Sequence, residues 1–353
     1  MDAAAAQDVN LKIKLKETNM SKKYPGVCFV GCGNIASRHS KIIRKAYKNI
    51  GLSFFDTDQA KALEFKTKFN GTRSFPELAH VLDSPDVDIV YITTPHAFHA
   101  EIACEAAKNG KHIIIEKPVA RNVAEYKKIA ASVKKYGVRC TVAENYLYKG
   151  FIKKITDSIN RGDIGKPLIV ELNKHNRDTI SGWRSDADLM GGGALLEGGV
   201  HWVNLLVSLA QSDPVSVFAL KPEVDYSTNI PFEDTVVLSV KFKNGTVGKL
   251  LHSWRIPNRL KGVSLSKIYG TDGAITFESN GLFTSVAGNR KKKFFPDFTD
   301  FLGYKGMNKA FIEDYMEERP WNPGLERIEM ELKLVEAAYR SLKSGNMEEI
   351  KSV

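Results

Sequence analysis

The feature that most constrains this chain is a single stretch near its start, VCFVGCGNIASRHSKIIRKAY. An apolar strand runs into a glycine turn and then into an amphipathic helix. Gly31, Gly33 and Ala36 stand at the spacing G-x-G-x-x-A. In such a unit the first glycine permits the tight turn and the second lets a pyrophosphate approach the backbone. The third, small residue lets helix and strand pack closely. The helix opens at Asn34 and Ile35, whose end of the helix faces the phosphates. One glycine turn is weak evidence, since such turns also occur with an ordinary exposed acid nearby. Here a second strand, IGLSFF, ends in Asp56, placed where a carboxylate accepts from a ribose 2′-hydroxyl. That carboxylate would repel a 2′-phosphate, and the nearest following cation is Lys61, so the reading is NAD rather than NADP.

The strand–helix pattern then repeats through VDIVYITTP, HAEIACEAAKNG, KHIIIEKP, NVAEYKKIAASVKKYG and VRCTVAENY. Strands that are near-continuous apolar runs between helices imply a parallel sheet covered on both faces. Ligands of such sheets sit beyond the carboxyl ends of the strands. The candidate cofactor contacts there are Thr94, Pro95, His96 and His99, then Glu116 and Lys117, then Asn145. Lys117, between an acid and a proline at a buried strand end, is unusual because isolated buried ammonium groups are costly. The plain alternative is a surface lysine just past a strand. Residues 24–146 read as the dinucleotide-binding domain, and 1–23 as a flexible N-terminal extension.

Beyond residue 146 the composition changes. PLIVELNKH, PVSVFALKP, DTVVLSVKF, GTVGKLLHSW, VSLSKIYG and AITFE alternate with period two between turn signals such as KNG and GTDG. That predicts a largely antiparallel sheet, closed by the helical run GLERIEMELKLVEAAYRSLKSG with a stop at Gly345. The fold class is therefore α/β. An N-terminal Rossmann doubly wound parallel sheet is followed, over 147–353, by an α+β domain with an open, largely antiparallel sheet.

Within the second domain, GGGALLEGGVHWVNLL carries Glu197 and His201 four residues apart, with Asn204 three further on. On an α-helix that spacing puts all three on one face. An acid beside a histidine orients and tunes an imidazole for proton transfer. The bland alternative is a buried helix with one satisfied polar pair. Other polar groups suited to a sugar are His175, Arg177, Trp183 and Arg184, with Tyr148 at the junction of the domains. Read on their own, His39, His80, His99, His112 and His252 are packing or surface residues, His99 being also a candidate cofactor contact. His96 and His99 lack acidic or cysteine partners, so no metal site is expected.

The net charge of +10 is distributed along helix-like segments, which reads as a solvated basic face rather than a nucleic-acid surface. No long apolar run marks a membrane span, and the start lacks the pattern of a secretory signal. A cytoplasmic protein with four reduced thiols (Cys28, Cys32, Cys104 and Cys140) is the expectation.

Taken in order, GCGNIA, TTPHAFH, IIIEKPVA, AENYLY and GGGALLEGGVH resemble the Gfo/Idh/MocA family of NAD(P)-dependent oxidoreductases. The resemblance covers nearly everything from Gly26 onwards. It implies that Lys117 is catalytic, near the nicotinamide and the substrate hydroxyl, and that the family's D-x-x-x-H falls on Glu197 and His201. His201 is then the acid/base, with Glu197 orienting it. The chain departs from the pattern where Glu197 replaces the usual Asp and where Asn204 replaces an Asp after the histidine. The implied activity is hydride transfer between NAD and a CH–OH group of a sugar, cyclitol or related polyol. The implied assembly is a homodimer or homotetramer through the second sheet. Rival readings are a redox-neutral glycoside-cleaving enzyme that oxidises, eliminates and reduces, a non-catalytic NAD(P)-binding regulator and, weakest, a nucleic-acid-binding module.

Overall fold

The computed structural model describes residues 24–224, 230–257, 263–296 and 298–351. The extension read over 1–23 lies outside the described residues. Six strands form the first sheet: β1 (Gly26–Val30), β2 (Gly51–Phe55), β3 (Arg73–Ser74), β4 (Ile89–Ile92), β5 (His112–Ile115) and β6 (Cys140–Val142). They pair in parallel in the order β3-β2-β1-β4-β5-β6. Helices α1 (Asn34–Ala46), α2 (Gln59–Lys68), α3 (Leu78–Asp83), α4 (His99–Lys108) and α5 (Val123–Tyr136) follow the strands. Every residue of β1 and β4 is buried, which is why both read as unbroken apolar runs. The order reverses between β1 and β4, so a crevice opens beyond their carboxyl ends.

After α6 (Gly150–Asn160) comes a nine-stranded sheet. Its strands are β7 (Pro167–His175), β8 (Pro214–Leu220), β9 (Thr235–Phe242), β10 (Val247–Ser253), β11 (Leu265–Gly270), β12 (Ala274–Glu278), β13 (Thr284–Ala287), β14 (Lys292–Phe294) and β15 (Glu348–Glu349). The order is β14-β13-β12-β11-β7-β10-β9-β8-β15, antiparallel throughout except for the parallel pair β7 and β10. Helices α7 (Ala187–Met190), α8 (Val200–Ala210), α9 (Tyr304–Met316) and α10 (Leu325–Ser344) complete the chain. α8 packs on β7 and β10, and α10 on β8. The helical stretch Ala187–Ala210 is long and apolar enough to cross a membrane, but 78% of its apolar window is buried inside the protein. It is a core element. α10 ends at Gly345 in the left-handed region, φ 70°, as a glycine C-cap requires.

One segment crosses the boundary drawn at 146. Met307, Phe311, Ile312 and Trp321 pack with Val27, Phe29 and Leu52, the core of the first sheet. α9 thus covers the dinucleotide domain before α10 returns to the second. Periodicity shows that a helix has an apolar face, and not which sheet that face covers.

Candidate active site

The glycine turn has the geometry its sequence asks for. Gly31 has φ +97°, and a Cβ there would sit 2.8 Å from the Thr93 carbonyl oxygen, so only glycine fits. A Cβ on Gly33 would meet nothing within 4 Å, leaving the backbone open to a pyrophosphate. α1 starts there with no side-chain cap, its first N–H groups at Asn34 and Ile35 free for an anion. Asp56 closes the same corner, accepting from Cys32 N at 2.7 Å and Asp58 N at 2.9 Å. The residues present fit a dinucleotide.

At the next strand ends, Thr93 donates to the Gly31 carbonyl at 2.7 Å, and the Thr94 hydroxyl is buried without a partner among the described residues. Pro95 caps the short turn that holds His96. His96 is buried and donates from Nδ1 to the Met190 carbonyl at 3.0 Å, and burial pushes its pKa down to about 3. His99 departs from the cofactor role. It is fully buried between the carbonyls of Pro118 and Thr94, tying two strand ends together. The Glu116 carboxylate is engaged by His39 Nε2 at 2.7 Å and by the Lys117 backbone N–H. Asn145 donates to the Leu302 carbonyl at 2.7 Å. The side chains of all three are engaged within the protein.

Lys117 reaches across to the second domain. Its Nζ donates to the Glu197 carbonyl at 2.7 Å and lies 3.5 Å from Glu197 Oε1. The Glu197 carboxylate also binds Arg184 at 3.2 Å. Burial pushes its pKa up, but Lys117 and Arg184 more than offset this and hold it at about 2. His201 takes a different partner from the one its spacing suggested. Its Nδ1 donates to Glu144, whose two oxygens are each 2.7 Å away. Glu197 therefore does not orient the imidazole. Leu195–Gly199 is wound as a π-turn, which breaks the α-helical i, i+4 stacking, and two cations claim the Glu197 side chain. The His201 ring is clamped further by Tyr146, stacked at 4.5 Å and 14°.

A cavity of about 360 Å³ opens in front of Glu197, Arg184, His201 and Tyr146. Glu197, Gly198, His201, Arg184, Lys174 and His252 are among the residues that line it. Gly198 is tight against it, since a Cβ would lie 3.2 Å from His252 Nε2. Of the candidate substrate contacts, Arg184, Glu197 and His201 line this cavity and the others do not. His175 lies on the opposite side of β7 from Lys174 by strand alternation. Arg177 is exposed. Trp183 packs edge-on against His96, and the Tyr148 hydroxyl donates to the Asn322 carbonyl. Asn204 is turned away and donates to Glu331 on α10. Conversely, Glu144, Tyr146, Lys174 and His252 join the site without having been picked out. For two of them a signal existed. Lys174 continues the inner row Val170–Leu172 of β7, and His252 continues the inner row of β10 from Leu250.

The family model described as "Oxidoreductase family, NAD-binding Rossmann fold" matches residues 26–144, and the "GFO/IDH/MocA C-terminal domain" matches 152–276. An uncharacterized Saccharomyces cerevisiae protein is 30% identical over 64% of this chain and 66% of its own length. Myo-inositol 2-dehydrogenase of Thermotoga maritima is 24% identical over 91% of this chain and 98% of its own. The solved levoglucosan dehydrogenase in complex with NADH and levoglucosan superposes with TM-score 0.84, covering 93% of this chain and all of that one at 21% identity. With a dinucleotide turn, a strand-end lysine and both domain matches in sequence order, the chain belongs to the Gfo/Idh/MocA family of NAD(P)-dependent oxidoreductases.

Proposed function

We propose that this enzyme oxidises a carbinol carbon of a sugar, cyclitol or related polyol, with Lys117 and His201 as the reacting pair. The observation that carries this reading is the single free nitrogen of His201. Nδ1 is committed to a buried carboxylate, which leaves Nε2 as the base on a wall of the substrate-sized cavity. His201 would remove the hydroxyl proton at Nε2, and Glu144 would stabilise the imidazolium that results. The Lys117 ammonium would donate to the same oxygen and support its developing charge. NAD, when bound, supplies the hydride acceptor. The inositol and levoglucosan dehydrogenases among its relatives support the substrate class. An oligomer is supported by Ile169, Val247 and Tyr269, exposed side by side on three adjacent strands of the second sheet.

His201→Ala should lower turnover about 10²-fold or more while sparing NAD affinity. A screen of sugars, cyclitols, uronic acids and glycosides, followed by NADH absorbance, tests it. Near-normal turnover in the variant would remove His201 from the chemistry. Glycoside cleavage without net NADH would favour the redox-neutral cycle instead.

A further inference from the structure

The wall of the cavity formed by the second sheet comes from the ends of β7 and β10. Lys174 and His252 are register partners across that parallel pair, and both line the cavity. The charges around them are matched with one exception. Arg184 is paired with Glu197 at 3.2 Å and Asp178 at 3.1 Å, and Lys117 with Glu197. Lys174 bonds only the neutral Asn280 Oδ1, at 2.6 Å, and forms no ion pair among the described residues. Burial lowers the Lys174 pKa, and Glu278 is the acid that opposes this. That carboxylate already accepts from the backbone of Ser264, Asn280 and Leu282 and from the Asn280 amide. A second buried amine, Lys149, sits 3.4 Å over the Tyr146 ring; burial and Lys174 push its pKa down to about 7, against the opposing pull of Glu144 and then Glu278. Beside Lys174, His252 is 4% exposed and its Nδ1 has no hydrogen-bond partner among the described residues.

A partly desolvated amine with no ion pair, and a buried imidazole nitrogen without a partner among the described residues, both disfavour folding unless a ligand completes them. Both residues line the cavity, and unsatisfied groups in cavity-lining residues mark a binding function. We propose that Lys174 and His252 form an anion subsite, and that the natural substrate is a monosaccharide-sized polyol bearing a carboxylate or phosphate. This rests on the dehydrogenase reading and narrows it. His201 meets the reacting hydroxyl from α8, and the strand ends hold the anionic substituent. Lys174 contributes the charge, and neutral His252 contributes one N–H. The net charge of +10 adds long-range attraction for such a substrate.

The test titrates the full-length, NAD-loaded protein calorimetrically with D-glucose, D-galactose and D-mannose, their uronates and their 6-phosphates. At least one acid should bind about tenfold or more tightly than its neutral parent. Whether the uronate or the phosphate leads distinguishes the two anions. Lys174→Met should abolish the gap, whereas Lys174→Arg should keep it. Equal binding of acid and parent, a gap that survives Lys174→Met, or no binding by any probe overturns the proposal. NADH assays on the same sugars separate the two readings. Acid preference without NADH formation sinks the dehydrogenase and spares the subsite. Neutral and acidic sugars oxidised with equal kcat/KM sink the subsite and spare the dehydrogenase.

Discussion

His201 illustrates how far single residues were legible. Lys117 and His201 stand out in sequence because each is an odd residue in its surroundings, a lysine at a buried strand end and a histidine on an apolar helix. Their partners do not stand out. Glu144 lies 57 positions from His201 in sequence, and only the junction of the two domains brings them together. Spacing pointed to Glu197 instead, because it assumed an α-helix where the chain winds a π-turn. The two acids hold separate posts, Glu197 on the cations and Glu144 on the imidazole. Glu144→Gln keeps an acceptor for Nδ1 but removes the charge that supports the imidazolium. Turnover should fall on the order of 10²-fold with NAD affinity unchanged, measured by steady-state kinetics and fluorescence titration. Undiminished turnover would detach Glu144 from proton transfer.

Among the elements, α10 hides the feature least visible in sequence. Its apolar periodicity predicted the helix, and Ile328, Leu332 and Val335 are buried as expected. Glu331 is buried among them, against Asn204 of α8 and 3.5 Å from Arg327. In the sequence it looks like one more surface acid. Burial, reinforced by Glu144, pushes its pKa up to about 8 from the ordinary 4.5. The sign follows from proton binding. Between those two values the folded state holds a proton that the unfolded chain releases, so stability falls as pH rises through that window. Below it the group is neutral in both states, and above it the full penalty applies. Glu331→Gln should therefore raise Tm at pH ~9, by the equivalent of about 2 kcal/mol, and leave Tm near pH ~4 almost unchanged. Thermal melts at the two pH values check this. A gain of equal size at both would assign the effect to packing.

At the scale of the whole molecule, the two-sheet architecture was readable because each sheet imposes its own period on the sequence. Unbroken apolar runs marked the parallel sheet, and alternation marked the antiparallel one. The return of α9 to the first domain was not readable, since helix covering is a long-range choice. The outer face of the second sheet is where the proposed oligomer would assemble. Ile169→Glu, placed between Val247 and Tyr269, should shift the protein to a smaller species in light scattering without loss of fold. An unchanged mass would place the subunit contact elsewhere. The proposed reacting pair is drawn from the β5 loop and α8, whereas the proposed anion subsite, Lys174 and His252, comes from the tips of two strands. A duplicated gene for such a chain can therefore change what it accepts through one codon at a strand tip. The descendant would inherit its reaction unchanged.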